Sequence, residues 1–278
     1  MRNSNLQSSK YRAILSGNEL EIYAYEKPVF FNFSTDRKIV TARDLTNPED
    51  NRARSVHRSR KTIQRLIDSN FGFYIDPFGR PAISKFLTLT YAKNIIRPEE
   101  TNPDFTLFVK RLNYQLFKSK LSAIKYLARI EFQDRGAVHY HLVLFNLPFI
   151  DRERYFTVFE EAWGKERGFV KIRIVPDRGV GRYITKNYMT KSDDLRLRGN
   201  KSYFTSRNLL RPVVLRDESF VALLREKIPY EAQRYANAYL DEHTGITEYK
   251  NYSLLRYPDL RNRILANCPQ PATFKKNP

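Results

Sequence analysis

Residues 123–146, AIKYLARIEFQDRGAVHYHLVLFN, are two strand-forming runs (123–133 and 137–146) around the polar turn DRG. A hairpin here constrains its surroundings, because side chains on a strand alternate between faces with a period of two. His139 and His141 therefore point to one face, their Cα atoms about 7 Å apart, while Tyr140 points to the other. Closure at DRG brings Glu131, on the first strand, opposite or diagonal to one of the two histidines.

The flanking segments extend the hairpin into a larger pattern. AISKFLTLTY (82–91) reads as a strand, and NPDFTLFVKRLNYQLFKSK (102–120) as a helix capped by Asn102, with Pro103 at its first position. After the hairpin, RERYFTVFEEAWGK (152–165) is helical, FVKIRIV (169–175) is a strand and GRYITKNYMTKSDDL (181–195) is helical again. The resulting order, β-α-β-β-α-β-α, predicts an α+β domain of ferredoxin-like (RRM-like) type, an antiparallel sheet backed by helices.

Upstream, ELEIYAYEKPVFFNF (19–33) reads as two short strands interrupted by Pro28. NRARSVHRSRKTIQRLIDSNF (51–71) reads as a basic helix ending near Asn70–Gly72. DPFGRP (76–81) is a turn. Downstream, helices are expected at 217–227 and 230–241, and His243 lies in a surface turn, DEHTG. The expected organisation is an N-terminal basic extension (1–80), a core (81–195) and a C-terminal basic extension (196–278) packing on that core.

The chain has 49 Lys and Arg against 30 Asp and Glu, a net charge of +19, which favours a polyanion and above all nucleic acid. Arg52, Arg54, Arg58, Arg60, Lys61 and Arg65 of the basic helix are candidates for phosphate contact, or form an ordinary solvated face. His57 in the same run is read as a surface residue. The aromatic content, 19 Phe and 18 Tyr, supplies core and, in part, rings for stacking on unpaired bases. The only cysteine, Cys268, excludes an intramolecular disulfide and a Cys-rich zinc site. No apolar run is long enough for a membrane span, no signal-peptide core is present, and a cytoplasmic protein is expected. There is no G-x-x-x-x-G-K-[ST] motif and so no P-loop ATPase.

Glu131, His139 and His141 together form a mixed nitrogen and oxygen donor set that suits Mn²⁺ or Mg²⁺ better than a closed structural zinc site. The same three residues also suit a salt bridge or a surface ladder. RYITKNYMTK (182–191) holds two copies of Tyr-x-x-Lys, which on a helix share a face: Tyr183 with Lys186, and Tyr188 with Lys191. A nearby ammonium favours the phenolate over the weakly nucleophilic phenol.

Three motifs in order carry a family resemblance: FLTLTY (86–91), EFQDRGAVHYHLVLF (131–145) and YITKNYMTK (183–191). They resemble the HUH endonuclease superfamily (His, bulky residue, His). The likeness is greatest to rolling-circle replication initiators of single-stranded DNA phages, microviruses and filamentous phages among them, and of related plasmids. The resemblance implies a metal-dependent nickase acting at a replication origin. A tyrosine attacks a DNA phosphodiester, leaving a 5′-phosphotyrosyl bond and a free 3′-OH, with a metal on Glu131, His139 and His141 polarising the phosphate. It also implies single-stranded DNA or an origin hairpin as substrate, a host helicase and polymerase as partners, and the cytoplasm of a bacterial host.

One departure from the family concerns the tyrosines. Family members with two usually space them Tyr-x-x-x-Tyr; here Tyr183 and Tyr188 are five apart, about 140° around a regular helix. Both can face one metal only if the helix is distorted, for example by a π-bulge at Asn187. Tyr183, with Lys186 as its partner, is the favoured nucleophile. Competing readings are an HUH transposase or relaxase and a non-catalytic RRM-like protein binding single-stranded DNA or RNA.

Overall fold

The computed structural model describes residues 7–31, 48–76, 78–151, 153–174, 194–197 and 203–267. In chain order its elements are β1 (Gln7–Ser16), β2 (Glu19–Phe31), α1 (Pro48–Asn70), β3 (Ile83–Tyr91), α2 (Pro98–Phe117), β4 (Tyr126–Phe132) and β5 (Val138–Leu147). There follow α3 (Tyr155–Trp163), β6 (Gly168–Ile174), β7 (Tyr203–Thr205), β8 (Val213–Leu215), α4 (Glu218–Lys227), β9 (Gln233–Asp241), β10 (Gly245–Ser253) and α5 (Pro258–Ala266). The chain divides into two compact units, Met1–Asn47 with Arg211–Pro278, and Pro48–Leu210. The boundaries expected at 80 and 195 both fall inside the second unit.

In the unit spanning 48–210, an antiparallel sheet has the order β6-β3-β5-β4-β7. Its first four strands, with α2 and α3 as crossovers, form the βαββαβ arrangement expected from the sequence. The sheet is buried on both faces. One carries Leu87, Leu89, Ala128, Ile130, Tyr140 and Leu142 against Phe105, Phe108 and Leu112 of α2 and Phe159 and Trp163 of α3. On the other, Ile63, Leu66 and Ile67 of α1 pack on Phe86, Leu127, Val143 and Phe145. Burial on both sides explains why β5 is nearly continuous in apolar residues rather than strictly alternating. Trp163 is fully buried, makes edge contacts with Tyr91 and Phe108, and donates its indole N–H to the Thr90 carbonyl at 3.3 Å.

The second helix starts earlier than Asn102 and Pro103 suggest. Pro98 takes the first position with Glu99 and Glu100 in the first turn, a stronger N-terminal signal, and Pro103 lies inside the helix near its start. Asn102 instead accepts a hydrogen bond from the Tyr140 hydroxyl at 2.9 Å. The end of α2 is tied down by Asn113. Its Oδ1 accepts from the backbone N–H of Ala123 (2.8 Å) and Ile124 (2.9 Å), and its Nδ2 donates to the carbonyls of Ser119 and Leu121.

The other unit is an antiparallel sheet of order β8-β1-β2-β10-β9. Ala13, Leu15, Leu20, Ile22 and Tyr252 of its strands enclose a core with Val221 and Leu224 of α4 and Ile264 of α5. Helix α4 begins at Asp217, whose carboxylate accepts from the Phe220 N–H at 2.7 Å. Residues 19–31 form one strand rather than two, because Pro28 lies in the stretch where the β1–β2 register shifts. The helix expected over 230–241 is instead a short 3-10 turn followed by β9. Pairing with β10 across the turn containing His243 overrides the helix-permissive Ala, Gln and Glu of this segment. No helix among the described residues is long and apolar enough to cross a membrane.

Candidate active site

Two cross-strand rows on the α1 face of the sheet build the site. Arg129, His141, Thr88 and Lys171 stand in one row across β4, β5, β3 and β6, and Glu131, His139, Thr90 and Phe169 in the next. The DRG turn closes the hairpin as the sequence suggests, with Glu131 directly opposite His139 and diagonal to His141. Leu127, two residues before Arg129, belongs to the apolar cluster under α1. The site therefore begins where the cover by α1 side chains ends.

His141 is buried and held on both ring nitrogens. Its Nδ1 is 3.1 Å from the Thr88 hydroxyl and its Nε2 is 2.5 Å from a carboxylate oxygen of Glu131, while Phe86 stacks on the ring at 5.6 Å. Nε2 and the Glu131 oxygen share a proton in this arrangement. The His139 ring lies 6.1 Å from that of His141 and nearly perpendicular to it, and its Nε2 is buried with no hydrogen-bond partner. Desolvation, reinforced by His141 and Arg135, pulls the His139 pKa down to about 4 against the opposing influence of Glu131. His139 is therefore a neutral imidazole at pH 7.

Among the described residues no group of three His, Cys, Asp or Glu already stands at metal-binding distances. The donor set nevertheless fits a divalent cation. Glu131 and His141 are joined by a proton that an ion can replace, and the buried, partnerless nitrogen of His139 is a polar atom that lacks what it needs.

Positive charge gathers around this face. Arg129 is 5% exposed; burial lowers its pKa to about 10, with Glu131 opposing and Arg60 of α1 adding to the depression. Asp194 is held below the usual carboxylate range first by its hydrogen bonds from Arg196, and it also feels Arg52. The apolar end of α1 is thus fixed to the sheet while Arg52 and Arg60, from its basic half, act electrostatically on residues at the site end. Arg54, Arg58 and Arg60 are exposed; Arg52, Lys61 and Arg65 are half-buried. His57 and His243 are exposed, as expected.

Tyr183, Lys186, Asn187, Tyr188 and Lys191 lie outside the described residues. The chain returns at Asp194–Leu197, where Arg196 sits over the Phe132 ring at 3.8 Å, next to Glu131 on β4. Sequence reasoning misses Thr88 and Arg129 as members of the site. The signal for Arg129 is its place two residues before Glu131 on the same strand.

No curated protein and no solved structure matches the chain. Residues 84–193, from the start of β3 through the Tyr-x-x-Lys segment and so less than half of the chain, match the family described as replication-associated protein ORF2, which supports a role in replication.

Proposed function

We propose that the protein is a metal-dependent tyrosine nickase and ligase that starts rolling-circle replication of a phage or plasmid. The observation that carries this reading is the pairing of the proton-sharing Glu131 and His141 with the partnerless Nε2 of His139, within the segment that matches a replication-associated family. Glu131, His139 and His141 would hold Mn²⁺ or Mg²⁺, which when bound supplies Lewis-acid polarisation of a phosphate oxygen.

The remaining chemistry belongs to the chain. Thr88 and Phe86 fix the His141 ring. The Tyr183 phenolate, favoured by the Lys186 ammonium, attacks the scissile phosphorus. The tyrosyl O–P bond forms, the bond from phosphorus to the 3′ oxygen breaks, and the 3′ oxygen takes a proton as it leaves. Attack by a 3′-OH on the phosphotyrosine reverses the step and rejoins DNA without ATP, in keeping with a sequence that lacks a P-loop. Lys191 and Tyr188 form a second pair of the same type. The cations of α1 hold the phosphate backbone, and unwinding and synthesis fall to a host helicase and polymerase.

The test is incubation of the full chain with circular single-stranded DNA and Mn²⁺, with and without EDTA. A nick whose 5′ end carries protein stable to SDS, formed only without EDTA, is the expected result. Binding without cleavage would replace this reading with that of a non-catalytic single-strand-binding protein.

A further inference from the structure

The sheet of the unit formed by 1–47 and 211–278 buries one face against α4 and α5. The alternation of its strands leaves the other face with an unusual composition. Register places Arg12, Tyr23, Tyr249 and Asn237 in one row across β1, β2, β10 and β9. Glu21, Asn251 and Tyr235 lie in the row on one side of it, and Tyr25, Thr247 and Tyr239 in the row on the other. Five tyrosines thus share one face.

Four of the rings form a connected series. Tyr25 and Tyr23 stack with centroids 6.3 Å apart and planes 12° apart, Tyr23 and Tyr249 are 5.0 Å apart, and Tyr249 and Tyr235 are 6.0 Å apart. Tyr235 is 54% exposed and Tyr239 45%. The carboxylate on this face, Glu21, is buried and accepts hydrogen bonds from the hydroxyls of Tyr249 (2.9 Å) and Tyr23 (3.4 Å), which orients both rings.

Two guanidiniums border the series. Arg12 lies over the Tyr23 ring at 5.4 Å, and its Nε is buried with no hydrogen-bond partner among the described residues. Arg216 lies over the Phe31 ring at 4.8 Å. Together with Tyr25, Phe31, Ser9 and Val29 they line a shallow recess, and no carboxylate of the described residues forms an ion pair with either arginine. Arg216 is held below its ordinary pKa by burial and then by Arg12, as two neighbouring cations without an anion require.

We propose that this tyrosine face is a second DNA-binding surface, separate from the histidine site: unpaired bases stack on the exposed rings and a backbone phosphate lies between Arg12 and Arg216. Flat, sequence-tolerant ring faces next to unpaired cations are what a single strand requires, whereas the bases of a duplex are already stacked. A second copy of the chain is a poor occupant, because a symmetric pairing of this face opposes arginines to arginines. The choice of DNA rather than RNA rests on the replication reading; the stacking surface itself does not.

The test measures the affinity of the full chain for fluorescein-labelled oligo(dT) by anisotropy, in EDTA so that cleavage does not interfere. Tyr235→Ala and Tyr239→Ala should each weaken binding about five- to hundredfold, the range that loss of one stacked base gives, while Tyr235→Phe and Tyr239→Phe stay within about twofold of wild type. Arg12→Gln should flatten the slope of log affinity against log salt by about 0.7. Affinity for duplex DNA should not change in the alanine variants.

Alanine variants that bind oligo(dT) like wild type, or that lose duplex and single strand equally, would overturn the proposal. So would a dimer of the wild-type chain that the alanine variants abolish. Absence of a covalent adduct from the wild-type protein, with tyrosine-dependent binding intact, would remove the nickase reading alone. Adduct formation with binding indifferent to Tyr235 and Tyr239 would remove this proposal alone.

Discussion

The hydroxyl of Thr88 stands 3.1 Å from Nδ1 of His141, across the ladder that joins β3 to β5. A hydroxyl can donate or accept, so Thr88 can hold the ring whether its other nitrogen carries a proton toward Glu131 or gives a lone pair to an ion. Thr88→Val should raise the Mn²⁺ concentration needed for half-maximal nicking about 10- to 100-fold, and Thr88→Ser should restore most of the loss. A metal titration of activity checks this, and equal behaviour of the two variants would refute it.

His139 carries a different expectation. Its buried Nε2 has no partner, an arrangement that costs about 1–3 kcal/mol. His139→Leu should raise the thermal unfolding midpoint while abolishing metal-dependent cleavage. Such opposed effects mark a side chain kept for function at the expense of stability. A lowered midpoint would show that the imidazole serves the fold.

Glu131→Gln keeps the size of the side chain but removes its charge, so the proton shared with His141 has no anion to bind it. Nicking should fall at least about 100-fold, and excess Mn²⁺ should not restore it. Calorimetric titration with Mn²⁺ should show the binding heat lost in the same variant.

Tyr183→Phe should yield no SDS-stable adduct on an origin oligonucleotide, whereas Tyr188→Phe should still yield one. Adduct from the Tyr183 variant would transfer the role of nucleophile to Tyr188.

Asn113 makes four hydrogen bonds to backbone groups between Ser119 and Ile124, and so fixes the path from α2 into β4. Asn113→Ala should destabilise the protein by about 2–4 kcal/mol, because it strands buried amides and carbonyls. Urea unfolding measures it, and a change below 1 kcal/mol, about the worth of a single bond, would mean that water replaces the amide.

How much of this is legible in the sequence depends on how far apart the determining residues lie. The hairpin 123–146 can be read because its alternation and its turn are local, and the opposition of Glu131 and His139 follows from the turn alone. Helix α1 can be read because Ile63, Leu66 and Ile67 repeat at helical spacing. Thr88 cannot be placed against His141 in this way, since a strand 53 residues away must first pair in the right register. Strand β9 is hidden by its own composition, and only Tyr252, Tyr249 and Thr247 across the ladder make 233–241 extended. The tyrosine face is less legible still, because it exists only once β10 inserts between β2 and β9.

The sheet that carries those tyrosines draws β1 and β2 from the beginning of the chain, and β8, β9 and β10 from beyond residue 211. A polypeptide leaving the ribosome therefore holds β1 and β2 in waiting while residues 48–210, whose sheet needs no later segment, finish pairing. Until Gly245–Ser253 emerges, the hydrogen-bonding edge of β2 is open to any other strand nearby. The same connectivity makes release of the finished sheet a late event of synthesis, and a chain stopped short of β10 would have a complete histidine-bearing unit together with an adhesive, half-built one.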